Sequence, residues 1–530
     1  MIDKRALLVF LALLCLLGAC GGGDTPKDEG GGNLVVGIVG APYSTANWLS
    51  NDLNVSIMMS AINPRLLSIA KDGSKELVIL KEATMSDDLK TATWIIHEGL
   101  NWHDGVPFTV EDIGFSFDYQ YKHSLGHGAS YYSNIDSWTS HGAYEIEINL
   151  KEPQANFTTQ AGYWPIIMPK HIYENVEDPN HFDYPGLGYG PYRLVEKVDG
   201  QYYYAEKVEN WPLANGGAGA NIDSITFRVY EDANSMTLAL LNGEIDATGT
   251  YVNSSCQSQI AANPDLDLFT AFSLGYAYIG MNSANTLLAD LQLRTAIAMC
   301  IDRAALVNIA KSHGAMQMRT PVSPVYPDLV RSNITYPGFD AKLANKLLDE
   351  AGYTLPAGKH VREKDGKPLS FVLSCRNSTQ DVDSCASVLK ANFEAIGIEL
   401  TIEILESSAY IDKVTKERKF DINFIEWGTI DDPDSNLSIY TTNSHVNFFG
   451  YSNPVVDEII AKTMVEPDYE ARKILLDEFQ REFVKDCHII NLFVPMYGWG
   501  ASKKFTGWAA SPGYYGLVEL KNLVNVRLAE

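Results

Sequence analysis

Apolar and polar positions follow two different periods in the second half of the chain. Short apolar runs typical of buried strands are separated by stretches whose apolar residues recur every three or four positions, as on one face of a helix. This pattern predicts strands over Leu369–Cys375, Glu399–Leu405 and Asp421–Glu426, with helices over Ser384–Ile396 and Ala409–Lys419 between them. Such an alternation predicts a parallel sheet with helices on its faces, whose ligands usually lie at the carboxyl ends of the strands.

The same two periods predict further elements on either side of this unit. Helices are predicted along the face formed by Leu293, Ile297, Cys300, Ala304 and Val307, and over Phe339–Gly352, Pro454–Thr463 and Asp468–Lys485. Strands are predicted over Asn33–Gly40, Ala92–His97, Tyr144–Leu150, Tyr202–Glu206, Ser273–Met281 and Ile489–Val494. Thr109 and Asp112 have the spacing of a capping box, which predicts that a helix begins there. The pattern as a whole indicates an α/β protein with mixed sheets.

The first 32 residues have no such periodicity. Lys4 and Arg5 precede an apolar run over Ala6–Leu17, and the run ends in Leu-Gly-Ala-Cys. This arrangement is typical of a secretory signal, and its ending resembles a bacterial lipobox. We therefore expect residues 1–19 to be a signal peptide and Cys20 to carry a lipid that holds the protein on a membrane. The glycine-rich residues 20–32 are predicted to form a flexible tether.

Charge excludes one class of partner. The 530 residues include 41 Lys and Arg against 66 Asp and Glu, a formal net charge of −25. Binding of duplex nucleic acid needs a basic footprint, so nucleic acid is not an expected partner. Without residues 1–19 the chain would carry 39 basic and 65 acidic residues, a net charge of −26. The length suggests two or three domains.

Five cysteines follow Cys20. Cys375 and Cys385 flank one predicted loop, and outside the cytoplasm they are the pair most suited to a disulfide. Cys300 lies on an apolar helix face and is predicted to be a small buried hydrophobe. No C-x-x-C motif occurs, and no metal site or cofactor is predicted.

The search for catalytic motifs yields only weak candidates. His97 and His103 are six residues apart, whereas the zinc-protease helix needs two histidines four residues apart. Asp431, Asp432 and Asp434 follow a predicted strand, where solvated turn carboxylates and an acidic catalytic site are both possible interpretations. We therefore predict no catalytic residues and no enzyme activity, with a secreted hydrolase using Asp432 and Asp434 as the alternative from another class.

Four segments between residues 102 and 457 carry a resemblance to one family. They are WHDGVPFTVED at Trp102–Asp112, RTAIAMCIDR at Arg294–Arg303, DAKLANKLLDEAGY at Asp340–Tyr353 and YSNPVVD at Tyr451–Asp457. Together, and in this order, they resemble the signatures of extracellular solute-binding proteins of the oligopeptide and dipeptide class. Members of this class capture solutes for ABC importers.

The resemblance implies a two-lobed fold like that of periplasmic binding proteins, of the large type II cluster, with an extra subdomain and a hinge between the lobes. It implies that lobe I consists of residues 33–75, 183–283 and 498–530. The extra subdomain would be 76–182, and lobe II would be 284–497. The implied partners are a small peptide or other solute, the transmembrane subunits of an ABC permease and, through Cys20, a membrane. We expect a monomer in the periplasm or on the outer cell surface.

The resemblance also suggests ligand-binding residues. Peptide binders of this class hold the ligand's amino terminus with an aspartate three residues after a tryptophan. Here Trp427 is followed at that position by Ile430, and Asp431 comes one residue later. Arg376 follows a strand where dipeptide binders place an arginine for the ligand carboxylate, a pairing that a guanidinium makes well. A surface arginine is the alternative interpretation.

Residues near other strand ends complete the predicted site: Tyr43, Ser44, Tyr276, Tyr278 and Asn282. Their aromatic rings could enclose a peptide side chain or stack on a sugar, and ordinary core packing is the alternative for at least half of them. The expected ligand is an oligopeptide or dipeptide, with an oligosaccharide or a nickel chelate as the alternative.

Overall fold

The computed structural model describes residues 32–42, 44–49, 53–70, 75–126, 128–310, 314–330, 333–377, 381–427, 437–444, 446–513 and 516–530, excluding the side chains of residues 53, 54, 69, 75, 310, 427 and 438. The predicted signal peptide, Cys20 and nearly all of the predicted tether lie outside these residues. Within them, no helix is both long and apolar enough to cross a membrane.

A seven-stranded mixed sheet is built from both ends of the chain. In spatial order its strands are Leu266–Phe272, Met496–Ser502, Ala247–Thr248, Asn33–Val39, Ser224–Tyr230, Tyr202–Lys207 and Tyr192–Val198. Asn33–Val39 pairs in parallel with both of its neighbours, and the other pairs are antiparallel. The predicted strands at Asn33 and Tyr202 are thus confirmed, and the first lies at the centre of the sheet.

A four-stranded antiparallel sheet shares the core of the first sheet. Its order is Leu80–Met85, Thr91–Ile96, Glu145–Leu150 and Ile135–Ser140. The buried Trp94 and Ile148 of this sheet belong to the same apolar cluster as Val36 of the seven-stranded sheet. Helix Val110–His123 covers it and begins as predicted, because the Asp112 carboxylate accepts a hydrogen bond from the Thr109 N–H at 2.9 Å. We call the part of the molecule built on these two sheets lobe I.

A six-stranded mixed sheet forms the centre of the rest of the molecule, which we call lobe II. Its order is Met316–Gln317, Ile489–Val494, Tyr276–Met281, Ile422–Trp427, Ser370–Arg376 and Glu399–Leu405. The three strands predicted to be parallel are so, whereas Tyr276–Met281 pairs antiparallel with both neighbours. Alternate residues of that strand enter two apolar clusters on opposite faces, with Ile279 in one and Tyr278 in the other.

The helices cover the faces of these sheets. In lobe I they are Leu53–Met59, Val110–His123, Gly128–Tyr131, Phe157–Tyr163, Lys170–Tyr173, Ala233–Leu241, Ser254–Ala262 and Leu520–Asn525. In lobe II they are Leu291–Cys300, Arg303–Ala310, Ala341–Glu350, Val382–Glu394, Ser407–Tyr410, Pro454–Met464 and Tyr469–Asp486. Short 3₁₀ turns occur at Pro179–His181, Asn215–Gly217 and Leu437–Tyr440, and two-stranded pairs at Leu67–Ile69 with Lys75–Leu77, Glu363–Lys364 with Lys367–Pro368, and Phe505–Thr506 with Arg527–Leu528.

Two predicted helices are interrupted. The face that starts at Leu293 is divided between two helices, because Ile301 takes an extended conformation after Cys300. The segment predicted as Ala409–Lys419 is a short helix followed by a π-helical turn over Ile411–Lys416. In both cases the apolar period continues across a change in the backbone, so periodicity alone does not detect the break.

The chain crosses between the lobes at two adjacent places. One crossing runs from Phe272 to Tyr276, and the other passes through Pro495 between Val494 and Met496. The Ser273 N–H donates a hydrogen bond to the Pro495 carbonyl at 2.9 Å, so the two crossings are joined. Any rotation of one lobe against the other takes place about this pair of segments.

Candidate functional site

A carboxylate of lobe II contacts lobe I beside the crossing segments. Glu426, next to the end of strand Ile422–Trp427, pairs with Ala277 on one side. Its carboxylate accepts hydrogen bonds from the phenol of Tyr497 and from Ser273 Oγ, the second at 3.4 Å. Tyr497 belongs to the lobe I strand Met496–Ser502 and is 1% exposed. Glu426 therefore joins both lobes and one crossing segment.

An aromatic pair extends this contact into lobe I. The rings of Tyr251 and Tyr497 are stacked, with centroids 4.1 Å apart and planes inclined by 14°. Burial raises the pKa of the Tyr251 phenol; the Glu426 carboxylate raises it further, whereas Arg376 lowers it. Both a negative and a positive group of lobe II therefore act on one phenol of lobe I.

Arg376 is the last residue of strand Ser370–Arg376, so the strand ends one residue later than the sequence predicts. Its side chain is partly buried, and its Nε donates a hydrogen bond to Ser407 Oγ at 3.1 Å. The adjacent strand in the sheet carries Glu426, so two opposite charges lie at the ends of neighbouring parallel strands. This is the edge at which ligands of parallel sheets usually bind.

A second polar contact joins the lobes at the start of two helices. Ser254 Oγ, in the first turn of helix Ser254–Ala262, donates a hydrogen bond to Asp381 Oδ2 at 3.4 Å. Asp381 precedes helix Val382–Glu394 and has a left-handed backbone, with φ of 51°. Burial raises the pKa of its carboxyl group.

Three of the predicted ligand residues are buried inside lobe II. The phenols of Tyr276 and Tyr440 are 2.6 Å apart and buried. Tyr278 is buried on the same face of its strand. Asn282 donates to the carbonyls of Arg418 and Phe420 at 2.9 and 2.8 Å. These contacts correspond to the core-packing interpretation of the three residues.

Ser44 has a different setting. It lines a cavity of about 300 Å³ in lobe I, together with Pro42, Thr45, Asn180, Asp183, Lys197 and Tyr203. Lys197 belongs to a hairpin whose turn lies at the same end of the sheet as the end of strand Asn33–Val39. This follows because Tyr202 pairs with Arg228, and Arg228 pairs with Gly37. Tyr43 and Asp431 lie outside the described residues. Trp427 is described only through its backbone, which pairs with Tyr276.

The structure corrects the predicted disulfide. Cys375 and Cys385 are both free thiols, and both are buried. Cys375 lies within a strand and Cys385 within the helix that packs on it, so they do not flank an open loop. Burial raises the pKa of each thiol to about 12. Cys300 is buried as predicted.

Sequence reasoning missed Glu426, Tyr497, Tyr251, Ser254 and Asp381. One signal was present, because Glu426 is a charged residue at the end of a largely apolar strand. Tyr251 and Ser254 come from one segment of the chain and Asp381 and Tyr497 from two others, and none of the four carries a local signal of a site. Among the described residues, no group of three or more His, Cys, Asp or Glu side chains is placed to hold a metal ion.

Two α/β lobes joined by adjacent crossing segments, with opposite charges facing an aromatic pair at their junction, define a solute-binding protein that encloses its ligand between lobes. Comparison with known families agrees. The family model of bacterial extracellular solute-binding proteins, family 5, matches residues 76–448. The chain belongs to this family, and the two-lobed fold expected from the sequence is confirmed.

Individual relatives extend over nearly the whole chain. The oligopeptide-binding protein AppA of Bacillus subtilis is 25% identical over 541 residues, covering 96% of this chain and 97% of its own. The nickel-binding periplasmic protein of Escherichia coli is 26% identical over 468 residues, covering 84% of each chain. The structure of the Bacillus subtilis AppA with a nonapeptide has a TM-score of 0.78 at 24% identity, covering 95% of this chain and all of that one.

Proposed function

We propose that this solute-binding protein captures oligopeptides or dipeptides between its lobes and delivers them to an ABC permease. The observation that carries the proposal is the pair of opposite charges, Arg376 and Glu426, at the ends of adjacent strands beside the lobe junction. A free peptide carries both charges at its termini, whereas a neutral sugar carries neither. The similarity to proteins named as oligopeptide-binding supports the same ligand class.

In this proposal Arg376 binds the carboxylate of the peptide. Its Nε already donates to Ser407, which leaves the outer nitrogens of the guanidinium to make a two-point contact. For the amino-terminal end we propose the Glu426 carboxylate together with Trp427 and Asp431, which follow it in the chain. We propose Ser44 with its cavity for a side chain of a longer ligand. Tyr43 has the same proposed role as Ser44.

We also propose the cellular setting expected from the sequence. A signal peptide of residues 1–19 would direct export, a lipid on Cys20 would hold the protein on the membrane, and residues 20–32 would let a monomeric body reach the permease. The predicted lobe and subdomain boundaries belong to this proposal. Labelling cells with a radioactive fatty acid tests the anchor: the wild-type chain should incorporate label and Cys20→Ala should not.

The ligand is tested by thermal unfolding against three sets of compounds: peptides of two to nine residues, oligosaccharides, and nickel with histidine. Peptides are expected to raise the unfolding temperature because they bind the folded state alone. Stabilisation by sugars or nickel–histidine, with none by peptides, would refute the peptide assignment. The nickel arm is included because one relative is named as nickel-binding.

The role of Arg376 is tested with Arg376→Gln and with peptides whose carboxyl terminus is free or amidated. A hydrogen bond to a charged group contributes about 1.5–3 kcal/mol, so affinity for a free peptide should fall about 10- to 100-fold. The amidated peptide should bind both proteins about equally. Arg193→Gln is a matched control, since Arg193 is exposed in lobe I and lies 3.7 Å from Glu206. Equal affinity of wild type and Arg376→Gln for the free peptide would contradict the assignment.

The amino-terminal end is tested by changing Trp427 and Asp431 together to Ala and comparing free with acetylated peptides. Unaltered affinity for the free peptide would remove these residues from the site.

Mass spectrometry of peptides after prolonged incubation addresses the hydrolase alternative: a binding protein returns them intact, and cleavage that is lost on changing Asp432 and Asp434 would favour an enzyme.

A further inference from the structure

The lobes also touch at a place that includes neither crossing segment. The Ala155 N–H of lobe I donates a hydrogen bond to the Met464 carbonyl of lobe II at 3.2 Å. Ala155 lies between strand Glu145–Leu150 and helix Phe157–Tyr163, beside the four-stranded sheet. Met464 is the last residue of helix Pro454–Met464. Both partners are backbone atoms, so the contact does not depend on side-chain identity.

The Met464 carbonyl is one of the four at a helix end that have no partner within the helix. The residues after the helix supply donors for the two preceding carbonyls. The Val465 N–H donates to the Lys462 carbonyl at 3.3 Å, and the Glu466 N–H donates to the Thr463 carbonyl at 3.4 Å. The Met464 carbonyl receives its donor from the other lobe, so the end of this helix is capped across the junction.

The donor is held in place before any contact with lobe II. The Gln154 N–H donates to the Leu89 carbonyl at 3.1 Å, and its side-chain Nε2 donates to Gln160 Oε1 at 2.9 Å. Asn134 Nδ2 donates to Gln154 Oε1, also at 2.9 Å. These hydrogen bonds fix the residue before Ala155 to lobe I from three sides. The Ala155 N–H is therefore preorganised, and forming the contact orders little additional chain.

We propose that the Ala155–Met464 hydrogen bond is a clasp that forms when the lobes close and slows the release of the enclosed solute. Rotation about the crossing segments preserves the Ser273–Pro495 hydrogen bond but separates Ala155 from Met464. The clasp belongs to the closed state alone, and it acts on every enclosed ligand alike because both of its partners are backbone atoms. It rests on the proposed function only in that a solute is enclosed.

The first test removes the donor. Proline has no N–H, so Ala155→Pro cannot form the clasp, whereas Ala155→Gly keeps the donor. From the usual net contribution of one hydrogen bond, release of a bound peptide in stopped-flow measurements should be about two- to tenfold faster in Ala155→Pro. Release from Ala155→Gly should stay within about twofold of the wild type. Equal release rates for the wild type and a folded Ala155→Pro would overturn the proposal.

The second test needs no peptide and does not depend on the proline variant folding. The pair Ala155→Cys and Met464→Cys should form a disulfide under mild oxidation, because residues joined by such a hydrogen bond lie within disulfide range. The five native cysteines of the described residues are buried, and the wild-type chain serves as the control for them. A peptide that binds should accelerate cross-linking. A pair that stays reduced with and without peptide, together with unchanged release from Ala155→Pro, would overturn the clasp.

The two tests separate failure of the clasp from failure of the proposed function. Cross-linking in a protein that no peptide stabilises would leave the clasp intact and remove the peptide assignment. Peptide binding with no cross-link, together with unchanged release from Ala155→Pro, would remove the clasp and leave the peptide assignment.

Discussion

Changing Tyr497 to Phe would remove the hydroxyl group that links lobe I to Glu426 and would leave the packing of the aromatic ring unchanged. The stacked ring of Tyr251, at 4.1 Å, would keep its partner, and no cavity larger than a hydroxyl would form. The Glu426 carboxylate would retain Ser273 Oγ as a donor at the longer distance of 3.4 Å. The substitution therefore removes the hydrogen bond to a charged acceptor together with the interaction of the same hydroxyl with the Tyr251 phenol.

The magnitude follows from the charge and burial of the two partners. Hydrogen bonds to ionised groups contribute about 1.5–3 kcal/mol, compared with about 1 kcal/mol for neutral pairs. Tyr497 is 1% exposed and Glu426 is partly buried, so water compensates for the lost donor only in part. We expect Tyr497→Phe to lower the free energy of unfolding by about 2 kcal/mol. Tyr189→Phe is the control: its buried phenol donates to the neutral carbonyl of Pro64, and its loss should cost about 1 kcal/mol.

The assay is urea unfolding of four proteins: the wild type, Tyr497→Phe, Glu426→Leu and the double variant, because leucine has no acceptor for the Tyr497 hydroxyl. If the two groups interact directly, Tyr497→Phe should cost little in the Glu426→Leu background, with a coupling energy of about 1.5–3 kcal/mol. Single effects that add to within about 0.5 kcal/mol would show that the two groups stabilise the protein independently. That result would refute the reasoning that places Glu426 at the lobe junction.

Three further predictions concern stability. The buried His488 has a pKa lowered to about 3, chiefly by burial, so below its ordinary value of 6.5 the unfolded chain binds the proton preferentially. As the pH is lowered from 6.5 to 3, this group should reduce the free energy of unfolding by about 1.4 kcal/mol per pH unit. Denaturation measured at several pH values should show this slope in the wild type and not in His488→Gln. A Cβ on Gly188 would lie 1.8 Å from the Ile62 carbonyl oxygen, so Gly188→Ala should lower the free energy of unfolding in urea by about 3 kcal/mol. Gly142→Ala is the control: the space around this residue is open and only its φ of +83° opposes a side chain, so the loss should be about 1 kcal/mol. Arg362→Met should lower the free energy of unfolding by about 3 kcal/mol, because three buried or partly buried acceptors lose the guanidinium as their donor. Asp349→Asn should lower it by less than about 1 kcal/mol, since the Asp349 carboxylate that pairs with Arg362 is 65% exposed. Equal losses of unfolding free energy in urea for either pair of variants would contradict the corresponding argument.

Most strands and helices follow from local pattern. Strand Glu399–Leu405 and the helix at Thr109 are as predicted because apolar period and capping are properties of a few adjacent residues. The breaks at Ile301 and Ile411 were not predictable in this way, since the apolar face continues across each of them. The antiparallel pairing of Tyr276–Met281 was likewise hidden, because a buried strand has the same composition in either direction.

The candidate site was predictable only in part. Arg376 lies at the end of its strand as expected, because strand ends are visible in the sequence. Tyr276 and Tyr278 share this signal, but their face of the strand is covered by other residues of lobe II, and their phenols are buried. The same composition is compatible with a cleft or a core, and the packing of neighbouring elements decides between them.

By itself the sequence determined the class of the fold, the family and one charged residue of the candidate site, because these depend on local period and on motifs of adjacent residues. Only the tertiary structure decided which groups meet: Tyr251, Glu426 and Tyr497 are brought together by crossing segments far apart in the chain. The contact between Ala155 and Met464 was decided in the same way. Its partners are backbone atoms, which every residue type has, so no pattern of side chains encodes it.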